Sequence, residues 1–405
     1  MMKHVVIVGG GFAGVYAARG LLKRRDVKVT LISKRNYFLF IPMLHEVATG
    51  GLSGYNLAEP YRGILRGKNF SFLQDEVREV DLVKRRVACA HGEVPYDYLV
   101  LATGSTTNFF GTKGAEEHCF VLKSLEDAFR LKNQVVRKAE EAFMAKEKDV
   151  QEQKLSVVIV GAGPTGVELA IEMQELLEQI CKSNASFHGR PSVYLIQRGD
   201  RVIPQIPRLQ GDAERQLKKH GVHVLTGAGV TEVRKDGVVL QDGRIIAADT
   251  VVWSAGVKPS IVKTIPDVAG EKRCLVVDAY LRLLQFPEVF VIGDCATYIP
   301  EGEKTPIPML AQVATEQGKS VGKNLARLLG KRELVPFSFK LKGQFISLGK
   351  GYGAGFIGPL KLTGFKAWWL NRTIYLFKIL GAGNKLKTAW EWTLNLFTKR
   401  DACEH

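Results

Sequence analysis

Cysteine pairs and metal-type cysteine clusters are absent from this sequence of 405 residues. The cysteines are scattered and form no C-x-x-C motif, which excludes a disulfide-stapled fold and gives no sign of a cysteine-bound metal. We therefore expect a reducing compartment, thiols that are free or packed in the core, and no metal site. The six residues are Cys89, Cys119, Cys181, Cys274, Cys295 and Cys403.

Long apolar runs are missing as well. No uncharged apolar stretch reaches the length of about 18 residues that a membrane span needs, so we expect no transmembrane helix. Because Lys3 and His4 lead straight into an apolar strand, we expect no signal peptide either. These features predict a protein that is cytosolic or bound peripherally to the cell membrane on its cytoplasmic side.

Acidic residues are outnumbered, with 41 Asp and Glu against 57 Lys and Arg and a formal net charge of +16. Half of this excess lies between Lys340 and His405, where eleven basic residues stand against three acidic ones. With 46% hydrophobic and 24% charged residues, the composition is that of a globular protein rather than a disordered one. The length predicts two or three domains.

An apolar strand at residues 5–8 runs directly into a glycine-rich turn with the spacing G-x-G-x-x-G. In such a turn the first glycine permits the sharp bend, the second lets a pyrophosphate approach the backbone, and the third allows helix and strand to pack. The N–H groups at the start of the helix then face the phosphate charge. The residues expected to contact this dinucleotide are Gly9, Gly11, Phe12, Ala13 and Gly14.

The same pattern returns at residues 157–166, where four apolar residues precede a second G-x-G-x-x-G turn. Two such units are far more specific than one, and they predict two nucleotide sites between which electrons pass. The residues expected to hold the second nucleotide are Gly161, Gly163, Pro164, Thr165 and Gly166.

Both units lack the acidic residue that dinucleotide sites usually place at the end of the second strand to bind a ribose. The first unit has Ser33, Lys34 and Arg35 there, a set in which serine can bind the ribose and the cations favour a phosphate. The second has Gln197 and Arg198, which do not repel a 2′-phosphate, so the sequence permits NADPH as well as NADH. The alternative, in which Gln197 simply accepts the same ribose hydroxyl, stays open.

Residues 36–52, NYFLFIPMLHEVATGGL, closely resemble the segment beside the flavin ring in type II NADH dehydrogenases, the single-subunit NADH:quinone oxidoreductases. Disulfide-reducing relatives carry a C-x-x-x-x-C pair in this region, whereas this chain has no cysteine before Cys89. The resemblance therefore implies a flavoprotein without a dithiol relay. An apolar loop that only fills core space is the alternative interpretation.

Three further motifs resemble those of two-dinucleotide flavoproteins and, through that resemblance, imply FAD as the first cofactor. Thr103 and Gly104 follow a strand where the chain crosses towards the nicotinamide domain, and Gly256 marks the return crossing. Gly293 and Asp294 follow an apolar strand, as in the family's second FAD motif, whose aspartate binds the ribityl chain. The cysteine after this aspartate is expected to pack in the core rather than to take part in redox chemistry.

Residues 308–318 resemble the A-Q-x-A-x-Q segment that places two glutamines near the quinone and the flavin in type II enzymes. Ala311 and Gln312 are retained, but Glu316 stands where the second glutamine is expected and Gln317 follows it. On a helix, positions 312 and 316 share a face, whereas 317 is rotated by about 100°. The resemblance implies that Glu316 lines the quinone site and, if buried, donates a proton. An altered quinone preference, a weaker site, or an ordinary packing helix are the alternatives.

Glu168 lies near the start of the helix that follows the second glycine turn. In the family this glutamate contacts the nicotinamide and is proposed to help move protons, and the resemblance implies the same role in this chain. The alternative is a carboxylate in the first helical turn that merely complements the helix dipole.

Two amphipathic helices are predicted near the C-terminus, at residues 365–380 and 384–398. The first combines aromatic side chains with flanking cations, and the second has a single apolar stripe. Such helices suit a membrane surface, where rings sit among headgroups and cations meet anionic lipid; a helix pair packed on the core is the alternative. Without a nucleic-acid-reading motif, the positive charge predicts no nucleic-acid partner. The stripe consists of Leu386, Ala389, Trp390, Thr393, Leu394 and Phe397.

Together these features predict an α/β protein with two Rossmann-like dinucleotide-binding domains, glutathione-reductase-like, and a C-terminal amphipathic membrane-docking region. The resemblance, which spans nearly the whole chain, implies transfer of a hydride from NAD(P)H to FAD and of two electrons to a membrane quinone, without proton pumping, by a homodimer. The predicted parts are an FAD domain at 1–115 and 258–330, a charged, solvated helix and linker at 116–155, an NAD(P)H domain at 156–257, and the docking region at 331–405.

Two other functions are alternatives to this one. A sulfide:quinone oxidoreductase needs redox cysteines near the flavin, and both the missing cysteine pattern and the intact second glycine turn argue against it. A redox-sensing flavoprotein module, whose quinone site has decayed through the change at Glu316, would show rapid flavin reduction without quinone turnover.

Overall fold

The computed structural model describes residues 2–185, 187, 189–270 and 274–404, with its regular elements numbered in chain order. The strands are β1 (Lys3–Val8), β2 (Val27–Ser33), β3 (Tyr37–Leu39), β4 (Ala58–Pro60), β5 (Phe70–Gln74), β6 (Val77–Asp81), β7 (Arg86–Cys89), β8 (Gly92–Pro95), β9 (Tyr98–Leu101), β10 (Ser105–Thr107), β11 (Ser156–Val160), β12 (Ser192–Ile196), β13 (His223–Leu225), β14 (Val230–Arg234), β15 (Gly237–Leu240), β16 (Ile245–Ala247), β17 (Thr250–Trp253), β18 (Val257–Pro259), β19 (Lys263–Ile265), β20 (Leu275–Val276), β21 (Val289–Val291), β22 (Ala296–Thr297), β23 (Gly343–Ser347), β24 (Gly353–Ile357) and β25 (Leu360–Gly364). The α-helices are α1 (Phe12–Arg19), α2 (Leu44–Ala48), α3 (Tyr61–Ile64), α4 (Ala115–His118), α5 (Leu125–Met144), α6 (Lys148–Lys154), α7 (Pro164–Ser183), α8 (Gln210–Lys219), α9 (Ala311–Leu329), α10 (Phe365–Lys378) and α11 (Ala382–Leu394).

The chain forms two compact units, each assembled from three separate stretches of sequence. The first unit comprises Met1–Leu39, Ala58–Thr106 and Val257–Leu341, and the second comprises Phe40–Leu57, Thr107–Gly256 and Lys342–His405. Most of the segment that resembles the flavin-side region of the family, from Phe40 onward, and the C-terminal residues group with the second glycine turn. The domain limits derived from the sequence remain predictions.

A five-stranded parallel sheet forms the centre of the first unit, in the order β21-β9-β1-β2-β5. Strand β1 pairs Val5 with Val29 on β2 and with Tyr98 on β9. Its last four residues are buried, as their apolar character predicts for a central strand. Because β2 and β9 flank β1 on opposite sides, the turn after β1 faces the crevice in which sheets of this kind bind ligands.

Helices α1 and α9 approach each other closely through glycines. A Cβ atom on Gly318 would lie 2.2 Å from the carbonyl oxygen of Ala13, and one on Gly20 would lie 2.9 Å from the Cα of Gly322. A Cβ on Gly293 would lie 3.3 Å from the Cβ of Ala13. The first glycine turn, the loop after β21 and the start of α9 therefore meet at one end of the sheet.

The second unit repeats this plan with a four-stranded parallel sheet in the order β13-β12-β11-β17. Strand β11 is buried along its whole length and pairs Val157 with Val193 on β12 and with Thr250 on β17. A central apolar strand, a glycine turn and a helix thus recur in both units. This arrangement confirms the predicted α/β fold with two dinucleotide-binding motifs.

Helix α5 corrects the prediction of a solvated helix and linker. Ser124 caps it by accepting a hydrogen bond of 3.0 Å from the N–H of Asp127, and one face is buried on α2 and α7. Lys132, one of the charges that suggested solvation, has 3% of its side chain exposed and pairs with Asp401 at 2.6 Å. The apolar positions at helical spacing determine which face of α5 is buried. The many charged residues hide this pattern when only the composition of the segment is considered. Helix α6, by contrast, has no buried residue.

The C-terminal residues form an antiparallel sheet, β23-β24-β25, followed by α10 and α11. Helix α10 packs on this sheet, and α11 packs on the short turn Gly54–Leu57. Two helices are present as predicted, although Ile379 and Leu380 lie beyond the end of α10 and are buried. No helix in the described part of the chain is both long enough and apolar enough to cross a membrane.

All six cysteines are free thiols. Cys295 is fully buried, and its Sγ lies 3.2 Å from the carbonyl oxygen of Ile292. Burial raises the pKa of this thiol, which keeps it protonated and unreactive. Cys295 therefore packs in the core beside Asp294, as expected.

Candidate active site

The first glycine turn has the shape that a bound pyrophosphate requires. Gly9 has a φ of +104°, and a Cβ there would lie 2.2 Å from the carbonyl oxygen of Ala102. A Cβ on Gly14 would lie 1.9 Å from the carbonyl oxygen of Gly9. Gly11, in contrast, faces open space, and α1 begins after it without a side-chain cap. The N–H groups of the first helical turn therefore face an open cradle, which fits a phosphate of FAD. The intervening Phe12 and Ala13 are the first residues of α1.

Tyr61 supports this turn, and sequence reasoning missed it. Its hydroxyl donates a hydrogen bond of 2.8 Å to the carbonyl oxygen of Gly10, and burial raises its pKa to about 12. Because the pKa is raised, the phenol stays protonated and remains a donor. Nothing in the local pattern marks Tyr61, since the contact joins residues 51 positions apart.

The end of β2 carries the three polar residues that replace the usual acidic one. Ser33 is half-buried, and its carbonyl oxygen accepts a hydrogen bond of 3.2 Å from the N–H of Asp75. Lys34 is largely exposed and pairs with Glu76 at 2.6 Å, while Arg35 is half-buried. The Lys34 charge is therefore partly neutralised by a neighbour within the same unit.

The crossing at Thr103 and Gly104 is held by Ser260. The Thr103 hydroxyl donates to the carbonyl oxygen of Ser260, and the N–H of Ser260 donates to the carbonyl oxygen of Gly104 at 2.9 Å. Gly104 has a φ of +70°, a conformation that favours glycine. These reciprocal bonds fix the start of the predicted flavin-binding loop.

The second predicted FAD motif is built by hydrogen bonds between distant segments of the first unit. Asp294 accepts a hydrogen bond of 2.7 Å from the hydroxyl of Ser105. Gly293 has a φ of +77°, and its N–H donates to the side-chain oxygen of Gln317 at 2.7 Å. An oriented carboxylate next to a glycine turn fits the ribityl hydroxyls of a flavin.

The three polar residues of the predicted quinone segment lie on α9 and differ in how far they are buried. Ala311 and Gln312 begin the helix and are half-buried, whereas Gln317 is buried. The side chain of Glu316 is 35% exposed, and it pairs with Lys319 at 3.1 Å. The condition set for Glu316 as a buried proton donor is therefore not met.

The second glycine turn repeats the geometry of the first. Gly161 also has a φ of +104°, and a Cβ there would lie 2.5 Å from the Cα of Ala255. A Cβ on Gly166 would lie 2.0 Å from the carbonyl oxygen of Gly161, while Gly163 faces open space. Pro164 begins α7, where its missing N–H removes no helical hydrogen bond. This cradle fits the pyrophosphate of a nicotinamide nucleotide.

Gln197 supports this second turn directly. Its side-chain oxygen accepts a hydrogen bond of 3.0 Å from the N–H of Ala162, which lies between the two glycines. Arg198, which follows Gln197, and Thr165, which lies within the turn, are both exposed. The glutamine thus has a structural contact in addition to its position at the end of β12.

Gly256 makes its close contact with a side chain. A Cβ there would lie 2.7 Å from the ring of Phe110, and the carbonyl oxygen of Gly256 accepts a hydrogen bond of 3.0 Å from the N–H of Asn108. Both contacts lie within the second unit, and the first shows that the Phe110 ring packs closely against the backbone at this crossing.

His45, Glu168 and Glu172 form a buried titratable group in the second unit. The Nδ1 atom of His45 lies 3.9 Å from Oε2 of Glu168, and its Nε2 atom lies 3.7 Å from Oε1 of Glu172. All three side chains are at most 8% exposed. Both separations exceed a hydrogen bond, and Nε2 has no hydrogen-bond partner among the described residues.

Burial and charge oppose each other in setting the protonation of this group. Burial raises the pKa of Glu168 to about 7, although His45 and the Ser347 N–H, which donates at 2.9 Å, favour the carboxylate. Burial by itself lowers the pKa of His45, but the surrounding carboxylates outweigh it and raise that pKa overall. Glu168 lies beyond the first turn of α7. The alternative in which it complements the helix dipole from the first turn therefore does not apply.

Two arginines neutralise the other carboxylates around this group. Arg400 lies 3.3 Å from Glu172 and 2.5 Å from Glu175. Arg372 lies 3.4 Å from Glu46, a neighbour of His45 on α2. Atoms of His45, Glu46 and Glu172 lie within 4.8 Å of one another, a spacing that suits a metal ion. Because a guanidinium already faces each of these two carboxylates, a further cation is disfavoured.

A cavity of about 310 Å³ opens beside the cluster. Trp392 lines it and donates a hydrogen bond of 3.0 Å from its indole nitrogen to Glu46. Glu175, which lines the cavity, lies 3.2 Å from His220, with each side chain about one-fifth exposed. The charged residues that line the cavity are Glu46, Glu172, Glu175, Lys350, Arg372 and Arg400.

Sequence reasoning found Glu168 but missed most of its surroundings. The i, i+4 spacing of Glu168 and Glu172 was an available signal, because it places both carboxylates on one face of α7. His45 and Glu46 lie in the segment identified by resemblance, yet no pattern suggested their ionic contacts. Arg400 carried no local signal, since it meets α7 only through the fold.

Comparisons with known proteins identify the family. Residues 3–318 match the family model described as pyridine nucleotide-disulphide oxidoreductase. The type II NADH:quinone oxidoreductase Ndh of Mycobacterium tuberculosis (strain ATCC 25618 / H37Rv) is 33% identical over 420 residues, covering 98% of this chain and 89% of the relative. The chain belongs to the type II NADH:quinone oxidoreductases.

Other members of the type II NADH:quinone oxidoreductases agree with this assignment. The enzyme of that name from Staphylococcus aureus (strain MSSA476) is 30% identical over 396 residues, covering 95% of this chain and 98% of the relative. The structure of NDH2 from Plasmodium falciparum in complex with NADH superposes with a TM-score of 0.93 over the whole of both chains, at 20% identity. That likeness shows the shared fold. The family predicted from the motifs is thereby confirmed.

Proposed function

We propose that this type II NADH:quinone oxidoreductase oxidises NADH and passes the electrons by way of FAD to a quinone. The observation that carries this function is the pair of glycine turns, each open at the position where a pyrophosphate binds. The flavin motif around Asp294 distinguishes the first unit from the second, so one turn suits FAD and the other suits NADH. Family membership adds the quinone as the electron acceptor.

The first unit provides the groups that hold FAD. Gly11 leaves the pyrophosphate cradle open, Ser33 lies where the ribose is bound, and Asp294 is oriented by Ser105 towards the ribityl chain. When bound, the flavin supplies the two-electron chemistry that links nicotinamide oxidation to quinone reduction. The chain itself holds the phosphates, orients the reactants and supplies protons. Proton pumping is not part of the proposed reaction.

The second unit provides the groups that hold the nicotinamide nucleotide. Its open turn at residues 161–166 receives the pyrophosphate, and Gln197 lies where the ribose of the adenosine is bound. Because Gln197 is neutral and Arg198 is cationic, a 2′-phosphate is not repelled and NADPH is accepted alongside NADH. The contact of Gln197 with Ala162 keeps this turn rigid in either case.

Three residues take part in the chemistry of the proposed reaction. Glu168 contacts the nicotinamide and transfers protons. Gln312 and Glu316, which share a face of α9, line the quinone site. Since Glu316 is partly exposed and paired with Lys319, it acts as a surface carboxylate at that site.

We also propose that α10 and α11 dock on a membrane from the cytoplasmic side. In α11 the apolar stripe faces outward: Trp390 is 66% exposed, while Thr388 and Trp392 face the interior. An exposed stripe argues against the alternative in which this helix packs its apolar face on the core. Exposed aromatic and aliphatic side chains with flanking lysines suit anionic lipid headgroups. The exposed apolar residues are Phe365, Trp369, Phe377, Leu386, Trp390, Leu394, Leu396 and Phe397. The homodimer remains an expectation.

The function is tested by stopped-flow absorbance of the purified FAD-loaded protein. We expect NADH to bleach the flavin and a soluble quinone to restore its absorbance rapidly. Comparison of NADH with NADPH in the first step tests the role of Gln197. Bleaching that quinone cannot reverse would contradict the proposal and would favour the redox-sensing alternative.

A further inference from the structure

The proposed reaction takes up one proton from water in each turnover. NADH delivers two electrons and one proton as a hydride, whereas a quinone needs two electrons and two protons to become a quinol. The balance is NADH + H⁺ + quinone → NAD⁺ + quinol. Glu168, the proton-transferring residue of the proposed function, is buried, so it needs a connection to solvent.

We propose that Glu172 and His45 form a proton relay that connects the cavity beside Glu175 with Glu168. Glu172 lines the cavity and lies 3.7 Å from Nε2 of His45, while Nδ1 of the same ring lies 3.9 Å from Glu168. The relay rests on the proposed function, in which Glu168 serves quinone reduction. His45 and Glu172 act through Glu168, and they are positioning and supply residues rather than groups that touch substrate.

The imidazole of His45 is placed between two carboxylates and bonded to neither. A shift of about 1 Å towards either carboxylate would bring the ring within hydrogen-bond distance. Histidine can accept a proton at one ring nitrogen and release one from the other, and this suits transfer between two separate acceptors. The absence of a hydrogen bond at Nε2 within the described chain leaves the ring without the usual restraint of a structural histidine.

The groups facing His45 act on its pKa in opposite directions. On its own helix α2 there is Glu46, on α7 there are Glu168 and Glu172, and from the C-terminal segment there is Arg400. Burial and Arg400 disfavour the imidazolium, but the carboxylates outweigh them and raise the pKa of His45, so the ring is able to accept a proton inside this buried group.

The solvent end of the relay is defined by Arg400, Glu175 and His220. Arg400 contacts both Glu172 and Glu175, and Glu175 in turn contacts His220, whose side chain is about one-fifth exposed. These side chains hold Glu172 at the edge of the cavity. Water in this cavity of about 310 Å³, which Glu172 and five other charged residues line, then brings protons to Glu172.

The test compares two electron acceptors on full-length, FAD-loaded His45→Gln enzyme with NADH as donor. A soluble short-chain quinone needs protons, whereas ferricyanide takes electrons alone. We expect kcat with quinone to fall about tenfold or more at pH 8, and less at pH 6, where protons are more abundant. Ferricyanide reduction stays within about twofold of the native rate, since it requires no proton uptake. His223→Gln, an exposed histidine of the same unit, is the matched control and keeps both rates.

Equal losses with both acceptors, or an unchanged quinone rate at pH 8, would overturn the relay. If His45→Gln does not retain FAD, Glu172→Gln takes its place, and the same acceptor-dependent and pH-dependent loss is required. A native enzyme that reduces ferricyanide but no quinone would instead overturn the proposed function, because the relay experiment presupposes native quinone turnover. Quinone turnover by the native enzyme therefore distinguishes a failure of the relay from a failure of the proposed function.

Discussion

The side-chain oxygen of Gln317 accepts a hydrogen bond of 2.7 Å from the backbone N–H of Gly293. This bond ties α9 to the turn that carries Asp294, and Gln317 is buried. The sequence pattern points to Glu316 as the inward residue and to Gln317 as the one rotated away. The structure gives Gln317 a buried contact with the second flavin motif and leaves Glu316 in an ion pair with Lys319.

Gln317→Met should weaken the flavin site. The substitution keeps the volume but removes the acceptor, so the partly buried N–H of Gly293 loses its partner at a cost of about 1 kcal/mol. We expect a lower thermal midpoint and earlier release of FAD, followed by flavin fluorescence during heating. Glu316→Gln changes a neighbouring, partly exposed side chain and should alter stability by no more than about 0.5 kcal/mol. Equal midpoints for native and Gln317→Met would refute the role of this bond.

Gln197→Glu should shift nucleotide preference towards NADH. A carboxylate retains an oxygen that can accept the hydrogen bond from Ala162, but it repels the 2′-phosphate of NADPH. We expect the NADPH/NADH ratio of kcat/KM to fall about tenfold, equivalent to about 1.4 kcal/mol. Gln210→Glu, at the first residue of α8, adds the same charge elsewhere and should leave the ratio unchanged. An unaltered NADPH/NADH ratio in Gln197→Glu would contradict the role of Gln197 in nucleotide preference.

Glu316→Ala should slow oxidation of the reduced flavin by quinone and spare its reduction by NADH. The carboxylate shares a face of α9 with Gln312 at the proposed quinone site, whereas the nucleotide turn lies in the other unit. Stopped-flow measurement of the two half-reactions separates these effects. Glu316→Gln restores the residue typical of the family and should keep rapid oxidation. Equal losses in both half-reactions would contradict a quinone-side role.

Trp390→Glu should weaken binding to vesicles that contain anionic lipid. The indole is 66% exposed on the apolar stripe of α11, and a carboxylate there opposes both burial in lipid and attraction to negative headgroups. Vesicle co-sedimentation measures the loss, and turnover with a soluble quinone should persist. Val83→Glu introduces the same charge at another exposed apolar position and serves as the control. Unchanged sedimentation of Trp390→Glu would argue against docking through this stripe.

The sequence indicated the two nucleotide units with little ambiguity because their signals are local. An apolar strand, a glycine turn and a helix occupy about a dozen consecutive residues, and the steric role of each glycine follows from its position in the turn. The geometry at Gly9 and Gly161, each with a φ of +104°, agrees with those roles. Family membership was predictable for the same reason, since it rests on several short motifs in a fixed order.

Burial and ion pairing were not predictable, because both depend on contacts between distant residues. The charges of α5 suggested solvation, yet Lys132 is buried against Asp401. The sequence left open whether the amphipathic stripe of α11 faces lipid or the core, and the structure leaves that stripe exposed. In the same way, the polarity of Glu316 carried no information about its ion pair with Lys319.

The residue order alone was enough to predict that this chain binds two dinucleotides and belongs with the NADH:quinone oxidoreductases, since those properties depend on short stretches of backbone. The arrangement of its ionisable side chains became visible only in the folded chain. It brings His45, Glu168 and Arg400 into one buried cluster from the beginning, middle and end of the chain. Their pKa values follow from mutual distance and burial, which the order of residues along the chain does not contain.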